Sequence, residues 1–109
     1  MKTFYLFLAD GFEEVEALTT VDLLRRAGLD IKTVSIKDGL MVAGAHGIKV
    51  ESDITMSQVG EIAVEDWLIL PGGMPGATNL KADERLCKML VDHNQKGGML
   101  AAICASPAV

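Results

Sequence analysis

The chain has 109 residues, half of them hydrophobic, and its 10 basic and 15 acidic side chains give a formal net charge of −5. This length allows one domain with a sizeable core, so residues 1–109 are treated as a single domain. The acidic balance argues against a nucleic-acid partner, and no apolar stretch approaches the ~18 residues that a membrane span requires. Two cysteines without framework spacing, and no signal-peptide core, predict a cytoplasmic protein.

Strand and helix patterns alternate along the chain. The predicted elements are a strand at 3–9, a helix at 13–27, a strand at 29–36, an irregular hairpin at 40–50, a short helix at 54–62, a strand at 67–70, a helix at 83–93 and a strand at 99–103. The strands at 3–9 and 67–70 are almost wholly apolar, which is typical of strands buried on both faces. This alternation predicts an α/β fold with a mainly parallel sheet.

Three of these strands end in segments that could build a site. The strand at 3–9 is followed by Asp10-Gly11, the strand at 67–70 by Pro71-Gly72-Gly73, and the strand at 99–103 by Cys104. Ligands of parallel sheets bind at the carboxyl ends of the strands, so we expect these three segments to converge on one site.

Cys104 has the sequence surroundings of a nucleophile elbow. The apolar run at 99–103 delivers it into a turn flanked by the small residues Ala102 and Ser106. A helix beginning at Ala105 would point free N–H groups at the sulfur and favour the reactive thiolate. The alternative is a buried cysteine that merely ends a core strand. Cys87, within an apolar helical pattern, is interpreted as a core-side thiol.

The glycine-rich loop after residue 70 lacks the spacing of a phosphate-binding loop. Glycine at 72 or 73 could bring a backbone N–H toward Cys104 to form an oxyanion hole with the N–H of Ala105. The alternative is a turn that needs positive φ, and both interpretations can hold together.

Among the acidic residues that open the first helix, Glu16 lies one turn further in than its neighbours, near the mouth of the expected site. It could share a proton with a thiolate, although spacing alone favours a surface glutamate. Two of Glu13, Glu14 and Glu16 are most simply solvated partners of the helix dipole. His46 and His93 are individually more typical of structural or solvent-facing residues. The histidine and cysteine spacings make no zinc pattern, so neither a metal nor a cofactor is expected.

Three motifs together closely resemble the ThiJ/PfpI superfamily and its deglycase branch. They are residues 8–16 (LADGFEEVE), 70–73 (LPGG) and 101–107 (AAICASP), and they occur in the family's order and spacing over the whole chain. The resemblance implies a flavodoxin-like three-layer sandwich, usually a homodimer, with a nucleophile elbow.

The same resemblance implies roles for five residues. Cys104 is the reactive thiol, Glu16 hydrogen-bonds its sulfur, and Gly73 and Ala105 supply the backbone N–H groups of the oxyanion pocket. His46 stands where many relatives have arginine, in a segment that approaches the partner subunit's site.

Two departures from the family pattern matter. Protease-like members have histidine directly after the nucleophile, where this chain has Ala105, which argues against a peptidase. Relatives also continue beyond residue 109, so the resemblance implies an amino-terminal portion with an incomplete sheet and elbow helix. We therefore expect a truncated, cleaved or partial polypeptide, whose remainder could be a separate chain, and the isolated segment would expose apolar surface.

The predicted function is a cofactor-independent cysteine enzyme of the glyoxalase or deglycase type, which acts on a small carbonyl substrate such as methylglyoxal. The first alternative is an oxidative-stress sensor or chaperone whose Cys104 is oxidised to sulfinate. A further alternative is an amidase-like or peptidase-like hydrolase, which would need a histidine base from beyond residue 109.

Overall fold

The computed structural model of the protein describes residues 2–103. Its strands are β1 (Phe4–Leu8), β2 (Ile31–Ser35), β3 (Met41–Ala43), β4 (Lys49–Glu51), β5 (Ile54–Thr55), β6 (Trp67–Leu70) and β7 (Met99–Ala102). Its helices are α1 (Glu14–Arg26), α2 (Gly76–Ala82) and α3 (Glu84–Gln95), with a 3-10 turn at Met56–Gln58. None of the helices within residues 2–103 combines the length and apolar character needed to cross a bilayer.

Five strands form one parallel sheet in the order β5-β2-β1-β6-β7. The register pairs Phe4 of β1 with Ile31 of β2 and with Trp67 of β6. The remaining two strands, β3 and β4, form a separate antiparallel hairpin. Since β1, β6 and β7 are parallel neighbours, their carboxyl ends lie side by side at one end of the sheet.

Two hydrophobic cores lie on opposite faces of the sheet, because successive side chains of a strand point to opposite faces. Leu6 and Leu8 of β1 pack with Ala17 and Val21 of α1, together with Val42 of the hairpin. The second core, on the other face, combines Phe7, Ala9, Val34, Leu68, Leu70, Leu80, Leu86 and Leu90, so it is covered by α2 and α3. The result is the predicted three-layer α/β sandwich with a parallel sheet.

Two details differ from the sequence-based expectation. Residues 54–62, predicted as a short helix, instead form β5 and a 3-10 turn, because Ile54 and Thr55 pair with Val34 and Ser35 at the sheet edge. The helix α2 was not predicted, since its sequence follows directly on a segment rich in glycine and proline. Its Leu80 and Ala77 are buried, so tertiary packing stabilises this short helix.

Candidate functional site

The carboxyl ends of β1, β6 and β7 meet as the sequence predicted, within the part of the chain that the structure describes. Leu70 pairs with Ala102, and the Ile103 N–H donates to the Leu70 carbonyl at 3.1 Å. This contact brings the chain to Cys104. Cys104 and Ala105 lie outside the described residues, so the nucleophile elbow stays a prediction.

Backbone hydrogen bonds hold the turn after β1 against the loop after β6. The Glu13 N–H donates to the Gly72 carbonyl at 2.9 Å, and the Gly76 N–H donates to the Gly11 carbonyl at 3.1 Å. The Asn79 side-chain amide donates to the Asp10 carbonyl at 2.7 Å. These bonds fix the start of α1 relative to residues 71–76, so groups carried by the two segments keep a defined spacing.

Gly73 occupies a position that only glycine suits. Its φ is +100°, a left-handed conformation that L side chains rarely adopt, and an added Cβ would collide with the backbone nitrogen of Glu13. The glycine therefore allows close approach between the loop and the start of α1. That the backbone N–H of Gly73 helps to form an oxyanion hole remains a prediction.

Glu16 lies beside this loop. Its side chain is partly buried, and its Oε1 accepts a hydrogen bond from the Gly72 N–H at 3.0 Å. A carboxylate on α1 is thereby attached to the loop after β6, next to the strand that leads into Cys104. Glu16 and the glycine loop are thus brought together.

Glu14 is the residue whose environment the sequence analysis predicted wrongly. Expected as a possible solvated partner of the helix dipole, it is buried, and its Oε1 lies 2.9 Å from Nδ1 of His46. The helical periodicity of the sequence could have indicated this burial, because Glu14 stands three residues before Ala17 on the same buried face of α1.

Glu13, by contrast, is the N-cap of α1, and its side chain accepts a hydrogen bond from the Val15 N–H at 2.7 Å.

The Glu14–His46 contact changes the protonation of both groups. Burial alone would raise the pKa of Glu14, but hydrogen bonds from the His46 ring and from backbone N–H groups outweigh burial and bring that pKa down to about 2. The hydrogen bond to Glu14, with the charges of Glu14 and Glu13, raises the pKa of His46 above its ordinary value of 6.5. The two side chains thus form an ion pair when His46 is protonated.

Glu13, Glu14 and His46 also place three potential metal-ligand atoms within 4.8 Å of one another. The Nδ1 atom of His46 is already engaged by Glu14, so the geometry is that of an ion pair. The other histidine, His93, is buried, and its Nε2 lies 2.8 Å from the Asp66 carbonyl. This contact gives His93 a structural role.

Cys87, predicted as a core-side thiol, is only partly buried. Its Sγ lies 3.3 Å from the Lys81 carbonyl, at the junction of α2 and α3. Cys87 lies on α3 and offers a second thiol against which Cys104 can be compared.

Comparison with known proteins identifies the family. The family model described as DJ-1/PfpI matches residues 2–109. The chain belongs to the DJ-1/PfpI family. It is 38% identical over 102 residues to the DJ-1 homolog B of Arabidopsis thaliana, an alignment that covers 94% of this chain and 23% of the plant protein. It is 32% identical to dj-1beta of Drosophila melanogaster, with 99% of this chain and 57% of the fly protein covered.

Solved DJ-1 structures share the fold. An oxidized Toxoplasma gondii DJ-1 superposes with a TM-score of 0.92 at 37% identity, covering all of this chain and 59% of that one. A cysteine-to-alanine mutant of a DJ-1 superfamily protein from Salmonella typhimurium gives a TM-score of 0.92 at 32% identity, with 99% of this chain and 58% of that chain covered. The chain thus spans from about a quarter to three-fifths of the length of these DJ-1/PfpI relatives.

Proposed function

We propose that this DJ-1/PfpI chain contributes to a cysteine-dependent, cofactor-independent enzyme that converts α-oxoaldehydes such as methylglyoxal into 2-hydroxy acids. The observation that carries the proposal is the contact of Glu16 Oε1 with the Gly72 N–H at 3.0 Å. It attaches a carboxylate to the loop that lies beside the strand leading into Cys104. A carboxylate next to a thiol is suited to proton transfer during carbonyl chemistry.

In the proposed reaction, the Cys104 thiolate attacks the aldehyde carbon, and the oxyanion that forms takes a proton from water to give a hemithioacetal. Backbone N–H groups of Gly73 and Ala105 stabilise the oxyanion. Glu16 takes the proton from the former aldehyde carbon and returns it to the adjacent carbon, which leaves a thioester of the hydroxy acid. Hydrolysis of the thioester then releases the Cys104 thiolate, so that methylglyoxal and one water give lactic acid overall.

Lactate formation from methylglyoxal tests this proposal with four proteins. Cys104→Ser removes the nucleophile and should reduce turnover to background, whereas Glu16→Gln removes the proton carrier and should lower it at least about 100-fold. Cys87→Ser, which removes the thiol on α3 that the proposed chemistry does not use, should retain wild-type turnover. Undiminished turnover in either Cys104→Ser or Glu16→Gln would disprove the mechanism.

A second candidate function is oxidative-stress sensing through Cys104. It is favoured by one relative, the Toxoplasma gondii DJ-1, whose structure is described as oxidized. Two equivalents of hydrogen peroxide would convert the thiolate to sulfinate, with Glu16 hydrogen-bonded to the oxidised sulfur. Selective gain of two oxygen atoms at Cys104 with altered partner binding, in a protein that forms no lactate, would favour sensing over catalysis.

The wider setting belongs to the same proposal. We expect a homodimer, because the family that this chain resembles is usually dimeric. We expect a cytoplasmic location, because Cys87 is a free thiol. No nucleic-acid or membrane partner is proposed.

A further inference from the structure

The proposed chemistry leaves one buried charged group unused. Glu14 follows the N-cap of α1, and only 5% of its side chain is exposed. It packs so closely against Gly44 that a Cβ added there would overlap the carboxyl group. A carboxylate is costly to bury unless it is paired and hydrogen-bonded, so its partners indicate what it does.

Three contacts to the Glu14 carboxylate come from the segment between β3 and β4. Its Oε2 accepts the His46 N–H at 2.8 Å and the Ile48 N–H at 3.3 Å. Its Oε1 lies 2.9 Å from Nδ1 of the His46 ring. The carboxylate therefore fixes both the backbone that carries His46 and the ring itself.

This geometry decides which ring nitrogen can exchange protons. An ionised carboxylate only accepts hydrogen bonds, so Nδ1 of His46 must carry a hydrogen. The nitrogen left to bind or release a proton is Nε2, on a side chain that is 69% exposed. A carboxylate that orients an imidazole in this way is a common arrangement in general acid–base catalysis.

His46 also lies near the glycine loop. Its Nδ1 is 3.9 Å from Oε2 of Glu13, and the Glu13 backbone N–H is bonded to Gly72. The Gly73 Cα lies against the same Glu13 nitrogen. Within residues 2–103, the charged groups that face the imidazole are the carboxylates of Glu13 and Glu14, both from the start of α1.

We propose that Glu14 is a positioning residue that makes His46 the general acid at the rim of the site, with Nε2–H as the proton donor. This role rests on the proposed function. As Glu16 takes the carbon-bound proton of the hemithioacetal, Nε2–H donates a proton to the ketone oxygen. When Glu16 returns its proton to the adjacent carbon, the hydroxyl of the former aldehyde gives its proton back to Nε2. The step leaves both side chains in their starting states.

The direct test is an NMR titration of the His46 ring in the wild-type protein and in Glu14→Gln, with His93 signals as the reference. Loss of the carboxylate charge should move the pKa of His46 down toward 6.5, and the neutral ring should lose its preference for hydrogen on Nδ1. An unchanged His46 titration in Glu14→Gln would overturn the positioning role, whether or not the protein forms lactate.

The kinetic test uses the pH profile of lactate formation. An acid acts in its protonated form, so kcat should fall as pH rises through the pKa of His46, and Glu14→Gln should shift this fall to lower pH by the amount seen by NMR. His46→Gln, which leaves both backbone bonds to Glu14 in place, should lower kcat at least about 100-fold and abolish that fall.

The possible failures are distinguishable. Wild-type protein that forms no lactate overturns the proposed function and with it the catalytic role of His46. The NMR result still decides whether Glu14 fixes the orientation and the proton position of the His46 ring. Lactate formation with an unchanged profile in His46→Gln overturns the role of His46 alone. If Glu14→Gln does not fold, the His46→Gln profile by itself decides the catalytic claim.

Discussion

At the scale of single residues, the site depends on two close approaches that side-chain atoms would prevent. Gly73 lies against the Glu13 nitrogen, and Gly44 lies against the Glu14 carboxyl group. Both bring a segment of loop or hairpin onto the first turn of α1, where Glu16 and His46 are held. The positions of these candidate side chains thus depend on two glycines that have no Cβ.

Gly73→Ala tests the first of these approaches. At a φ of +100°, alanine adopts a strained conformation that costs about 1–3 kcal/mol, and its Cβ would displace Glu13. We expect a lower free energy of unfolding in urea and loss of lactate formation. Gly60→Ala is the matched control, because its Cβ meets no atom within 4 Å. Equal stability of the two variants would contradict the strain argument.

Residue patterns predicted only part of this site. The patterns alone left glycine 72 or 73 open and favoured a surface position for Glu16, so the family resemblance was needed to select Glu16 and Gly73. The structure places both at the loop after β6. The buried pair of Glu14 with His46 was missed, because the partners are 32 residues apart and nothing local links them. Periodicity places Glu14 on the inner stripe of α1, but an acidic residue there is unexpected without a known partner.

At the scale of elements, apolar runs predicted the central strands well because parallel strands are buried on both faces. The short elements were harder to predict. Ile54 and Thr55 form a strand only through pairing with β2, and α2 forms only because Leu80 is buried under the sheet. Tertiary contacts determine the secondary structure of such short segments, and these contacts cannot be read from a single sequence.

The junction of α2 and α3 offers a test at this scale. Asp83 ends α2 through its backbone N–H and caps α3 through Oδ1, which accepts the Leu86 N–H at 2.9 Å. Asp83→Ala should lower the free energy of unfolding by about 1 kcal/mol, whereas Asp83→Asn, which can still cap, should change it little. A loss of the same size in both variants, measured by urea unfolding, would argue against the cap.

At the scale of the whole molecule, two cores on opposite faces of one sheet hold the strand ends in register. Apolar side chains are nevertheless exposed at the start of α1 and beside the hairpin, where Val15 is 71% and Ile48 is 52% exposed. For the proposed homodimer, we expect this surface, next to the Glu14–His46 pair, to form the contact, because burial against a second copy would remove these apolar groups from water.

Val15→Asp tests this contact by light scattering after gel filtration. Aspartate in the first turn of α1 is favourable for the helix dipole, so a loss of dimer would report on the interface and not on folding. We expect dimerisation at least about tenfold weaker than in the wild type. Val64→Asp, at a residue that is 52% exposed in the loop before β6, should leave the dimer unchanged. Equal effects of the two substitutions would contradict the proposed surface.

The central claim, that Cys104 is an activated thiol at the strand ends beside Glu16 and Gly73, is tested most directly by the pH dependence of its alkylation. Iodoacetamide labelling followed by peptide mass analysis measures Cys104 and Cys87 in the same sample, with Cys87 as the reference thiol. An activated Cys104 should be labelled fast, and this labelling should persist well below neutral pH. A Cys104 rate that falls away below pH ~8.5, as for an ordinary thiol, would contradict it.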